Sequence, residues 1–82
     1  MSIVDRVVAM VVAELRADGR LLFYPGADVD AVQARVVARV HAAPNHAHIG
    51  RVLLDALAAD DGVEEVFAAE EDVVHLLNHA YG

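Results

Sequence analysis

Two stretches of this chain follow one plan: residues 17 to 32, ADGRLLFYPGADVDAV, and residues 59 to 74, ADDGVEEVFAAEEDVV. With a single-residue adjustment, each runs from the end of an apolar-periodic segment through an Asp-Gly pair. A short piece ending in an aromatic residue follows, and then a second periodic segment begins. One helix-strand-helix unit cannot close a hydrophobic core alone, whereas two stacked units can. The duplication therefore predicts a mainly α fold: a four-helix small domain with two short strands, built from two pseudo-repeated helix-strand-helix units. We read residues 1–82 as a single domain with halves 1–43 and 44–82.

The apolar spacing places the four helices. Residues 3–17 set Val4, Val7, Val8, Val11, Val12 and Leu15 on one broad face, the 3.6-residue period of a core-facing helix. Residues 28–42 repeat it with Val29, Val32, Val36 and Val40, leaving Asp30, Gln33, Arg35 and Arg39 to face water. Residues 46–59 offer Ile49, Leu53, Ala56 and Leu57, and residues 71–80 offer Val73, Val74 and Leu77, with Tyr81 next in the row. Ser2 is placed to cap the first helix, with Asp5 three positions on as in a capping box.

Each Asp-Gly pair is expected to stop a helix, because Gly takes the left-handed conformation that a C-terminus favours. RLLFY (20–24) and VEEVF (63–67) then read as short strands. A helix continued through Val63, Val66 and Phe67 would carry Glu70 onto the apolar face, so the strand is preferred. Paired with each other, the strands form a ribbon that needs helices over one face to be stable. At the join of the halves, HAAPNHAHIG (41–50) reads as a corner: Ala43-Pro44 ends one helix and Asn45 caps the next. An unbroken helix over 28–59 would imitate a histone fold, but Pro44 removes an N–H and disfavours helix at Ala43.

The runs VVAELRADGRLLF and LLDALAADDGVEEVFAAEEDV resemble segments of a bacterial family known only as a domain of unknown function. In that family a helix, a Gly-containing turn, a short acidic strand and a helix recur in this order. The likeness covers about two thirds of the chain and rests on the hydrophobic spacing and the VEEVFAAEED run. It implies the repeated fold and carries no activity, cofactor or catalytic residue. The family tends to be richer in Lys, a residue this chain lacks.

Composition narrows function by exclusion. The chain has no Cys, Lys, Thr or Trp, and its only Ser is Ser2, so nucleophilic catalysis finds no placed group. We expect a non-enzyme. The longest apolar run, VVAMVVA at 7–13, falls far short of the roughly 20 residues that span a bilayer. Asp5 and Arg6 interrupt any signal-peptide pattern, and the expected setting is the cytoplasm. A hydrophobic fraction of 57% is high for a chain this small and points to a partner surface, in the first instance a homo-oligomer. The charge is lopsided: residues 1–59 balance, while Asp60, Asp61, Glu64, Glu65, Glu70, Glu71 and Asp72 account for the net −7. This block reads as a solvated face that repels phosphate backbones.

The candidate chemistry lies in the histidines. His75 and His79 share one helix face, Glu71 stands a turn earlier with Asp72 beside it, and His46 or His48 would add a ligand if the helices met. That is a 2-His-1-carboxylate set without an HExxH motif, and DVVH is not duplicated as a di-iron bundle requires. The plainer expectation is surface histidines, His41 sitting favourably at a helix C-terminus, with no metal or cofactor. A pH-sensitive contact is a further reading, since the His charge changes nearest neutral pH. The carboxylates beside Gly in GADVDAV and ADDGVEE do not form the ladder of a calcium loop. The leading expectation is a protein-interaction module acting through an Ala/Val helix face or the LLFY strand edge. The alternative is a winged-helix DNA-associated regulator, which would need Arg35, Arg39 and Arg51 on one surface.

Overall fold

Helix α1 (Ile3–Ala17) opens on the expected capping box. Ser2 Oγ accepts from the Asp5 N–H at 3.2 Å, and the Asp5 carboxylate accepts from the Ser2 N–H at 3.0 Å. These bonds take up donors that the first helical turn leaves without partners. The chain is seen here as a computed structural model that describes residues 2–44 and 47–81. After α1 come β1 (Leu21–Phe23), α2 (Val29–Ala42), α3 (Ile49–Ala58), β2 (Val63–Val66) and α4 (Glu70–Tyr81). Helix-strand-helix thus occurs twice, in the predicted order.

The two Asp-Gly stops work by different physics. Gly19 has φ +72°, and the Gly19 N–H bonds Arg16 O while the Arg20 N–H bonds Leu15 O at 2.8 Å, a Schellman ending. Gly62 does not adopt a positive φ, contrary to expectation. Here the turn is held by Asp60: its carboxylate accepts from the Gly62 N–H at 2.9 Å, and its carbonyl accepts from the Val63 N–H at 3.1 Å. Glycine is required at 62 for space, because a Cβ there would lie 2.6 Å from Val32 Cγ2. Between β1 and α2, Pro25 and Gly26 (φ +83°) form a turn closed by the Ala27 N–H on Tyr24 O. Asp28 then caps α2 through the Asp30 and Ala31 N–H groups.

At the corner, α2 ends at Ala42 and Ala43 turns extended before Pro44, as the X-Pro rule demands. Helix α3 starts three residues later than predicted. Its N-cap is His48, which makes no side-chain capping bond, so Asn45 is not the cap of this helix. Asn45 and His46 themselves lie outside the described residues. What locates the start is packing: Gly50 is buried, and a Cβ on it would be 3.2 Å from Glu70 O. Any larger residue at 50 would press on Glu70 and Val74 and require them to give by a few tenths of an ångström, so glycine suits this close approach of α3 to the first turn of α4.

The two strands pair antiparallel, Leu21 opposite Val66, Leu22 opposite Glu65 and Phe23 opposite Val63. Glu64 is thereby an extra residue, a bulge. The bulge answers a puzzle in VEEV: Val63 and Val66 both pack against the core, yet three positions apart they should point to opposite faces. Pairing extends one residue past each strand, through Tyr24 N–H to Gly62 O and Phe67 N–H to Arg20 O.

One core joins every element. Val8, Val11, Val12 and Leu15 of α1 meet Val32, Val36 and Val40 of α2, Leu53, Leu54 and Leu57 of α3, Leu21 and Val63 of the ribbon, and Val73 of α4. Helix α4 departs from expectation. Val73 is its only buried residue among those described, Leu77 is half-buried, and Val74 and Tyr81 are 40% and 51% exposed. Its apolar row outruns the surface that α1 and α3 supply to cover it.

Candidate functional site

The acidic block is not all solvated. Asp60 has a fully buried side chain, gripped by Arg35 from α2 through Nε to Oδ1 at 2.8 Å and Nη2 to Oδ2 at 3.0 Å. Arg39, one turn on, stands 3.6 Å from Oδ1 and donates to the Ala56 carbonyl at 3.2 Å near the end of α3. The Arg35 hydrogen bond holds the Asp60 carboxyl below its ordinary range against the opposing pull of burial, aided by the Gly62 N–H and by Arg39. This cluster ties α2 to the α3–β2 turn. Sequence reasoning missed it, although the doubled Asp of ADDG against ADG and the Arg35/Arg39 i,i+4 pair were its visible signals.

The same geometry bears on the arginines a DNA-binding surface would use. Arg35 and Arg39 engage Asp60, and Arg51 stands 3.7 Å from Asp55 on its own helix. Ser2, the chain's only serine, serves α1 as its cap.

The described histidines lie on three helices, with only His75 and His79 sharing one. His41 is exposed in the last turn of α2, His48 is exposed at the N-cap of α3, and Glu71, His75 and His79 are exposed along α4. His75 borders a small polar recess of about 170 Å³ with Asp18, Arg20 and Asp72. Arg20 already occupies Asp72 there, at 2.9 Å, and Asp72 also accepts from the Ala69 N–H at 2.9 Å to cap α4. That backbone bond, with Arg20, holds the Asp72 carboxyl below its ordinary range. Among the described residues, no three His, Asp or Glu side chains come together to hold a metal; His46 lies outside them.

The start of α3 and the end of α4 do meet, but through apolar residues. Ile3 and Val7 of α1, Ile49 of α3, and Leu77, Asn78 and Tyr81 of α4 line an open groove of about 370 Å³. It adjoins a second hollow of about 240 Å³ that shares Ile3, Val7 and Ile49 and reaches Val40 and Leu53. Ile3, 60% exposed, and Tyr81 stand on its rim. Among the described residues, no Asp, Glu or Arg lines either hollow. Ten residues of α4, roughly 15 Å at 1.5 Å per residue, separate Tyr81 from Glu71. Charge and apolar surface are thus segregated to opposite ends of one helix.

Among the described residues, no helix is long and apolar enough to cross a membrane. No family model, no curated protein and no solved structure matches the chain.

Proposed function

We propose that this chain is a non-enzymatic, cytoplasmic protein-interaction module that self-associates as a homodimer through the groove between α1, α3 and the end of α4. The observation that carries this reading is that Leu77 and Tyr81 of the incompletely covered α4 row meet Ile3, Val7 and Ile49 in a surface that no charged side chain lines among the described residues. Two copies that each carry −7 repel one another, and they approach at least cost where neither presents an acid. The groove also suits a two-fold contact, in which one patch must both protrude and receive. Ile3 and Tyr81 protrude, and the hollow beside them receives.

Sedimentation equilibrium at about 10 to 200 μM, a range that brackets micromolar affinities, is the test. The expected mass is twice that of one chain. Ile3→Glu and Tyr81→Glu place charge at exposed positions, so they should return the monomer mass with an unchanged helical circular dichroism spectrum. A wild-type monomer at the top of that range overturns the proposal.

A further inference from the structure

Outside the groove, the largest exposed hydrophobic side chains gather on the β1–β2 ribbon. Leu22 is 40% exposed, Tyr24 51% and Phe67 54%. Alternation from the inward Leu21 and Phe23 turns Leu22 and Tyr24 outward, and the Arg20–Phe67 pairing brings Phe67 to the same side. Glu65 lies directly opposite Leu22 on that face, and the bulge exposes Glu64 beside it. The alternation also sets Arg20 at the edge of this face opposite Phe67, where its guanidinium is held by Asp72 at 2.9 Å; Arg16 lies over the ring of the inward Phe23 at 5.6 Å. The result is an apolar strip bordered by two glutamates, uncovered by any described helix.

We infer that this ribbon face is a docking surface for a basic amphipathic segment of a partner protein, its apolar side chains on Leu22, Tyr24 and Phe67 and its Lys or Arg residues on Glu64 and Glu65. Charge complementarity selects this occupant. A second copy of this chain would set glutamates against glutamates here, whereas a cationic segment satisfies them while covering the apolar strip. The groove and the ribbon are different surfaces, so this proposal does not depend on self-association.

Fluorescence anisotropy with a labelled ten-residue peptide alternating leucine and lysine tests it on the full chain. Peptides alternating leucine with glutamate, or serine with lysine, are the controls. Leucine-lysine binding should exceed both controls by about tenfold or more, the ratio that one good added contact supplies. The double variants Glu64→Gln/Glu65→Gln and Leu22→Ser/Phe67→Ser should each lose about tenfold, while Glu14→Gln/Glu71→Gln, which removes equal charge elsewhere, should stay within about threefold. Circular dichroism verifies that each variant is folded. No binding of the leucine-lysine peptide overturns the inference. So does equal binding of the serine-lysine peptide, or an equal loss in Glu14→Gln/Glu71→Gln, because either would mean diffuse attraction to an acidic protein. A fall in the sedimentation mass of Leu22→Ser/Phe67→Ser would assign the face to self-association and overturn it as well.

Discussion

Asp60 is the residue whose environment departs furthest from its type. An aspartate with a fully buried side chain is tolerable only because every direction it faces supplies a donor: Arg35 twice, Gly62, and Arg39 nearby. Both arginines remain about half exposed, so solvent moderates the pair. Asp60→Asn keeps the shape and loses the charge, and we expect it to destabilise the fold by about 1–3 kcal/mol in urea denaturation. The pH dependence has a definite sign. The folded pKa lies below the ordinary value of 3.8, so the contribution is fully present above about pH 4 and is lost as pH falls through the folded value. The variant should therefore lose less stability than wild type between about pH 4 and pH 2. Identical acid-unfolding curves would remove Asp60 as a source of that slope. Asp5 and Asp72, whose capping bonds also lower their pKa, add to the same window in both proteins.

At the scale of elements, local chemistry that acts through near neighbours was legible and chemistry that acts across the chain was not. The Ser2–Asp5 box, the Gly19 stop and the Pro44 break each involve residues within a few positions, and each occurs as read. The start of α3 was misplaced because Asn45 is a good cap by composition, while the helix begins where Gly50 meets Glu70. The VEEV segment was rightly read as a strand, but its bulge depends on the register against β1. Here the pairing makes a specific prediction. Deleting one of the two adjacent glutamates leaves Val-Glu-Val, which restores simple alternation with both valines still inward. Thermal melting should show stability retained within about 1 kcal/mol, since Glu64 adds no buried side chain. A collapse of the fold would mean that the extra twist of the bulge is itself required.

For the whole molecule, the contrast between an apolar groove that no described acid lines and an apolar ribbon face bordered by Glu64 and Glu65 decides how it meets others. Going from about 0.1 M to about 1 M salt shortens the screening length from roughly 10 Å to 3 Å. Self-association through an uncharged groove should strengthen over that range, as the repulsion between two −7 chains is screened. Binding of the basic peptide to the ribbon should weaken over the same range. Sedimentation and anisotropy across one salt series would reveal the opposed trends, and parallel trends would contradict the assignment of the two faces. The sequence by itself determined the element order, the Gly19 stop, the core-facing rows of α1 to α3 and the imbalance of charge, because periodicity and capping are properties of neighbours along the chain. Only the tertiary structure decided that Asp60 leaves the acidic surface, that the described histidines and carboxylates gather no group of three, and that the apolar row of α4 outlasts its cover. Those outcomes depend on which faces arrive together when two similar but unequal halves pack, and no single stretch of residues encodes that fit.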